Sequence, residues 1–290
     1  MKHKFLFTAL AIVILVSGCN RETPQEPITT QEEDVATVIQ NLREFSQNPA
    51  SSLTKVSGGK RIVEVPAGSV DALAAAVGQV RDGGVVLLRA GSHTESGTVT
   101  IDHRVKILGE PGAILISDTK PGEGLPATVD PALHVLGASG VLIWGLDIRS
   151  KDAVGGTAIL IENSPRTLVG HNTMRDCQFG VLIEKGDRSN ICENTIITTS
   201  AWRTGALAAV YGIVAINGED IELEENDVSN AFLGIWVCGK DGEVDQNNLH
   251  GNYIGLIFCR ASEVDFTLPR GNLAPAEFSA TGWSAEGNNS

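Results

Sequence analysis

Short apolar runs alternate with polar turns along most of the chain, and from Val169 to Cys259 the alternation keeps a fixed step. Asn172, Asn194, Asn226 and Asn247 each follow an apolar residue three positions back: Val169, Ile191, Leu223 and Val244. Gly180, Gly212, Gly234 and Gly255 lie 8, 18, 8 and 8 residues after those asparagines, and each opens a short apolar strand, VLI, IVAI, IWVC and LIFC. The one long interval places a ten-residue insertion in TTSAWRTGALAAVYG, residues 198–212, and without it the period is 21 to 22 residues. Weaker repeats are legible upstream in VKILGEPGAILIS (105–117), HVLGASGVLIWGLDIRS (134–150) and GTAILIENS (156–164).

A helical repeat unit needs about 33 residues or more, so this period is too short for one. The Leu-x-x-Leu-x-Leu spacing of leucine-rich repeats is also missing. A coil of parallel strands fits, with rungs stacked about 4.8 Å apart and like residues above like. The Asn row then has a physical reason: a buried turn carries unpaired backbone groups, and an amide can satisfy them while bonding to the Asn above and below. The Gly row suits a position that needs positive φ or close backbone approach.

Upstream, residues 65–101 predict a helix over Val70–Val80 followed by the first strands, placed to cap the open end of the coil. Thr30 and Glu33 have capping-box spacing, and Val35, Val38, Ile39, Leu42 and Phe45 follow at helical spacing until Pro49. That pattern predicts a short amphipathic helix that docks on something. It sits behind a polar, Pro-containing spacer, NRETPQEPITTQEE (20–33). At the N-terminus, Lys2 and Lys4 precede an apolar stretch, Phe5–Val16, in the manner of a signal peptide. Val16-Ser17-Gly18-Cys19 resembles the lipobox of bacterial lipoproteins, which implies cleavage after residue 18, acylation of Cys19 and attachment to a membrane outside the cytoplasm. The expected organisation is a signal peptide at 1–18, a tether with the amphipathic helix at 19–59 and the solenoid at 60–290. TGWSAEGNNS (281–290) reads as the opening of another rung without its Gly and strand, so either something else caps the last coil or the native chain continues.

Composition agrees with this picture: 42% hydrophobic residues, 32 Gly and only 5% aromatics favour β structure with many turns. Without residues 1–18 the chain holds 20 basic and 35 acidic residues, a net charge of −15. Such a surface repels nucleic acid and anionic lipid and attracts cations, so no nucleic-acid partner is expected and the membrane is reached only through the lipid anchor.

The repeats resemble right-handed parallel β-helix proteins of the pectate-lyase-like class, especially the Asn/Gly-repeat group that includes carbohydrate-binding and sugar-hydrolase domains and the NosD-type periplasmic accessory proteins. The resemblance spans residues 61 to about 289. It implies an all-β, right-handed parallel β-helix solenoid with an N-terminal capping helix, and it is specific for fold rather than function. Pectate-lyase-like enzymes need a metal site and a base beside a uronate, and the hydrolases need close Asp carboxylates. Arg149, Lys151, Arg166, Arg175 and Arg203 stand in no such motif, so no catalytic set carries over.

Stacking turns the repeat into a surface map. His171, Glu193, Glu225 and Gln246 lie one position before the row Asn, and Gly170, Cys192, Glu224 and Asp245 lie two before. Glu193, Glu224, Glu225 and Asp245 should therefore crowd one edge. Carboxylates about 5 Å apart raise a pKa or recruit a cation, which makes this edge a candidate acid/base pair or a Ca²⁺ site at Glu193 and Glu225. The alternative is a solvated acidic edge on an acidic protein. In the strands after each Gly, Leu160, Leu182, Val214, Trp236 and Ile257 should face outward. Trp236 could stack on a sugar ring, or the row could pack under the insertion, under the helix before Pro49 or against a partner. Cys238 and Cys259, each four residues after its Gly, should sit one rung apart within disulfide reach, whereas Cys177 and Cys192 are out of register. The copper binding invited by the NosD resemblance, through Cys, His171 and Met174, has no ligand spacing behind it.

Three functions follow as expectations. The first is a cell-envelope module that binds polysaccharide or envelope glycan. The second is a lyase, epimerase or hydrolase acting on acidic glycans. The third is a non-catalytic solenoid that docks a protein partner.

Overall fold

The computed structural model describes residues 35–81, 83–122, 129–206, 210–259 and, for the backbone alone, 281–286. The signal peptide, Cys19 and the spacer lie outside the described residues. The chain winds as a parallel β-helix in which every strand pairing is parallel and joins one rung to the next. Three sheets run along the coil. The first stacks Ile62–Val65, Gly84–Leu88, Val105–Gly109, Leu142–Trp144, Leu168–Gly170 and Asn190–Cys192. It continues through the ends of the long strands Tyr211–Glu224 and Leu233–Asp245 to Thr281–Glu286. The second sheet runs from Gly91–Glu95 to Asn248–His250. The third runs from Val99–Ile101 to Ile254–Phe258.

Alternation along each strand fills the interior. Ile143, Val169, Ile191, Leu223 and Val244 of the first sheet meet Ile159, Val181, Ile213 and Ile235 of the third in one continuous buried cluster. A parallel sheet inside a coil cannot shift one rung without moving every apolar side chain to the wrong face. The Asn row fixes the register at the turn between the first and second sheets. Asn194 Nδ2 donates to the Val169 carbonyl and to Asn226 Oδ1, both at 3.0 Å, while Asn194 Oδ1 accepts from the Asn172 backbone N–H at 3.1 Å and from Asn172 Nδ2 at 3.0 Å. Asn226 repeats the pattern on Ile191 and Asn247.

The Gly row proves to be a close-approach row. A Cβ at Gly180 would stand 2.6 Å from the Gly212 carbonyl oxygen, and one at Gly234 would stand 2.5 Å from that of Gly255. Positive φ falls elsewhere: His171, Glu193, Glu225 and Gln246, each just before a ladder Asn, have φ of 54°, 56°, 52° and 52°. The left-handed turn thus belongs to residues with full side chains, which point outward at the corner.

The capping helix, α3, is shorter than its pattern. It spans Leu73–Gln79, because Val70 pairs as an isolated bridge with Thr94 and Asp71 turns the chain at φ 50°. Leu73, Ala76, Val77 and Val80 close the first coil by joining the interior cluster. The tether expected at 19–59 needs a larger correction. Val35–Gln47 forms the expected helix α1, but Pro49 starts a second helix, α2 (Pro49–Ser57), at a position where its missing N–H costs nothing. Leu42, Phe45 and Val56 pack on Val85, Leu87, Leu108, Leu142, Trp144 and Leu168, the outward apolar side of the first sheet. Trp144 Nε1 donates to Ser46 Oγ at 2.9 Å, and Lys106 Nζ to the Val56 carbonyl at 2.7 Å. The second half of that stretch is therefore a docked helical hairpin, made necessary by an apolar sheet face that water would otherwise meet.

Replacing Asn194 by Ala should cost about 2–4 kcal/mol, because it orphans the buried Asn172 N–H and Val169 carbonyl together. Urea unfolding of the variant checks this; a loss below about 1 kcal/mol would mean that the ladder does not hold the register.

Candidate functional site

Outward columns on the first sheet change character along the coil. Leu142, Leu168 and Asn190 share a column with Glu222 and Glu243, and Trp144, Gly170 and Cys192 share the next with Glu224 and Asp245. Glu222 and Glu224 flank the inward Leu223, and Glu243 and Asp245 flank the inward Val244, so four carboxylates form a two-by-two array on adjacent rungs. Glu222 and Glu243 were missed by a map anchored on the Asn row; their signal was the alternation in IELE and GEVD. Burial, and then the carboxylates of Glu222, Glu243, Asp245 and Glu225, push the Glu224 carboxyl up. Asn190 Nδ2 donates to Glu222 Oε2 at 2.7 Å and closes the array on its inner side.

Glu193 and Glu225 lie beside this array, at the left-handed corner. There they meet a cation supplied by the chain itself. Arg43, on α1, donates from Nε to Glu193 Oε1 at 2.8 Å, and its Nη2 lies 3.6 Å from Glu225 Oε2. His171 stacks on Trp144 with ring centroids 5.6 Å apart and places Nδ1 3.7 Å from Glu193. The calcium expectation at Glu193 and Glu225 is corrected accordingly: a guanidinium fills the place between them. Among the described residues no group of three or more His, Cys, Asp or Glu converges on a common metal position. Arg43 lies 150 residues from Glu193, and the helical pattern around it gave only its docking face.

The outward row of the third sheet is covered. Leu160, Leu182, Val214 and Trp236 join Phe179, Tyr211 and Leu233 in a second buried cluster. Trp236 is 4% exposed, with the Tyr211 ring 5.8 Å away and its Nε1 donating to Cys259 Sγ at 2.9 Å. The expected glycan platform at Trp236 is therefore corrected, since a ring enclosed on this face cannot receive a sugar. Cys238 and Cys259 form a disulfide with Cα atoms 5.1 Å apart.

Exposed aromatic surface lies one corner away. The described part of the insertion includes a 3₁₀ turn, Ser200–Thr204, whose Trp202 meets Phe232 edge-on at 5.7 Å and Tyr253 at 6.0 Å. Phe232 and Tyr253, from successive rungs, stack at 5.1 Å and 13°. Trp202 Nε1 donates to the Asn230 carbonyl at 2.5 Å, and the Arg203 guanidinium lies 4.4 Å over the Trp202 ring. Tyr253 is 67% exposed. His250 Nε2 and Asp227 Oδ1 pair at 2.8 Å on the adjoining face of the second sheet.

Residues 132–266 match the family model described as periplasmic copper-binding protein (NosD). No curated protein sequence matches the chain. Among solved structures, a candidate glycosyl hydrolase from Parabacteroides merdae is 12% identical with a TM-score of 0.36, over 79% of this chain and 93% of that one. The catalytic unit of a thermostable α-1,3-glucanase from Streptomyces thermodiastaticus is 12% identical with a TM-score of 0.21, over 76% of this chain and 65% of that one. The described residues do not fit a copper site. Burial pushes the Cys177 thiol up to about 12 and raises that of Cys192, Met174 is enclosed in the interior cluster, and His171 lies against Trp144.

The raised Glu224 carboxyl has a stability consequence of definite sign. Its folded pKa lies above the unfolded value, so its contribution favours the fold at low pH and is lost as pH rises through the folded value. Glu224→Gln should therefore melt about 2 °C higher than the parent at pH 7 and equal to it at pH 4, a small shift because the site is partly solvated. Thermal melts at both pH values check it, and a lower melting temperature at pH 7 would contradict the mutual repulsion of the array.

Proposed function

We propose that this is an extracytoplasmic β-helix protein, attached to a membrane through a lipid on Cys19, that binds polysaccharide or cell-envelope glycan through Trp202, Phe232 and Tyr253. The observation that carries this reading is the stacked Phe232–Tyr253 pair with Tyr253 largely open to solvent. Apolar sugar faces stack on such rings, and aromatic residues spaced one per rung extend the platform along the coil axis. Arg203, His250 and Asp227 stand beside it as hydrogen-bonding groups for ring hydroxyls. The periplasmic description of the matched family model supports the location. At the platform the charged groups are already engaged, Arg203 over the Trp202 ring and His250 with Asp227, which suits an uncharged or amino-sugar glycan better than a uronate polymer. The enzymatic alternative on acidic glycans loses support for the same reason, and because Arg43 engages Glu193 and Glu225.

Co-sedimentation of the purified protein with insoluble neutral and amino-sugar glycans tests the proposal. Retention should fall about fivefold in Tyr253→Ala, consistent with loss of one stacking contact of roughly 1 kcal/mol, and should be unchanged in Lys240→Ala. Equal retention of parent and Tyr253→Ala, or no retention on any glycan, would refute it.

A further inference from the structure

The first coil carries a cleft of about 730 Å³, at the opposite end of the solenoid from the aromatic platform. Its wall brings together residues from three separate turns. Lys60 precedes the first strand, Arg81 follows α3, and Asp102, His103 and Arg104 form the turn between Val99–Ile101 and Val105–Gly109. In a chain with 35 acidic and 22 basic residues, a cleft whose described lining holds three cations and one carboxylate departs from the overall balance.

The carboxylate of that described lining, Asp102, is already engaged. Asp102 Oδ1 lies 2.8 Å from His103 Nδ1, and this hydrogen bond holds the Asp102 carboxyl below its usual range. Lys60, Arg81 and Arg104 make no ion pair among the described residues, unlike Arg43, Arg89, Lys120 and Arg149, each of which has a carboxylate partner. His103 Nε2 is enclosed and has no hydrogen-bond partner. The exposed Arg104 side chain runs past Gly83 and Gly140, where an added Cβ would make ordinary van der Waals contact at 3.5 Å and 3.4 Å from its Nε. The Gly83 N–H also donates to the Arg104 carbonyl at 3.0 Å. The planar Arg104 guanidinium offers a fork that matches a bidentate oxyanion partner.

We infer that this cleft is a binding site for a tetrahedral oxyanion, a phosphate or sulfate group on a small molecule or a lipid headgroup. Arg104 supplies the fork, Lys60 and Arg81 supply point charge, and Asp102 with its hydrogen-bonded His103 bounds the cleft on the same turn. The cleft falls within the size range of small-ligand sites, so it admits the remainder of a sugar-phosphate-sized ligand as well as the anion.

Calorimetric titration of the full chain with inorganic phosphate, sulfate and glucose 6-phosphate tests the site, alongside flotation with phosphatidylcholine vesicles with and without phosphatidylglycerol. Saturable binding of a soluble oxyanion is expected, weakened at least tenfold in Arg104→Gln and at least threefold in Lys60→Gln, and unchanged in Lys240→Gln. Lys60 is exposed, so its variant tests the site even if Arg104→Gln fails to fold. Binding only to phosphatidylglycerol vesicles, lost in the same two variants, would also support the site and assign the oxyanion to a headgroup. No binding of any probe, or binding that Lys60→Gln and a folded Arg104→Gln leave unchanged, overturns the inference.

Discussion

Every feature of this molecule depends on one constraint: successive rungs must stack in register at the spacing of a parallel sheet. The Asn172–Asn194–Asn226–Asn247 ladder meets it at the first corner by satisfying buried backbone groups and linking each rung to the next through the same amide. The Gly180–Gly212–Gly234–Gly255 row meets it where the third sheet begins by admitting the carbonyl of the adjacent rung. Once both rows are fixed, inward positions have little choice but Val, Ile and Leu. Individuality is confined to the outward columns and the insertions.

The first sheet shows what that freedom produces. Its outward columns are apolar over the early rungs and acidic over the last ones, with Asn190 and Cys192 at the boundary. The helical hairpin covers the apolar part, and its Arg43 reaches the first carboxylate beyond it, Glu193. The hairpin and the sheet are thus matched in length by chemistry: apolar residues of α1 and α2 stop where the columns turn charged. The carboxylates beyond are left to repel one another at a spacing the backbone sets, which is why Glu224 is perturbed although no ligand is needed to explain it.

The coil and its register were legible because both depend on local, periodic requirements. An Asn every 21 or 22 residues, outside the one insertion, and an apolar triplet after each Gly allow few other structures. The stacked column Glu224–Asp245 follows from the same arithmetic. Contacts with no period were not legible. Arg43 meets Glu193 only because a hairpin outside the repeat lies across the coil, and α2 begins at a proline that ordinarily signals an end. Trp236 faces outward as its position in the strand requires, yet facing outward is not exposure when Tyr211 and Leu233 flank it. The aromatic group at the insertion joins Trp202 to residues 30 and 51 positions away, and no pattern in the chain announces that meeting.

Net charge misleads for the same reason. An excess of acids argues against anionic partners only if the charge is spread evenly, and a solenoid does not spread it: each column keeps its own chemistry, and the ends are built from residues outside the repeat. The acidic array lies on the late rungs, while Lys60, Arg81 and Arg104 gather around the cap of the first coil. Exposed charges farther apart than about 8–10 Å are largely screened at physiological ionic strength, so the two regions act independently. The sign that governs recognition at each place is therefore the local one, and a chain that repels anions along one face can still collect one at its capped end.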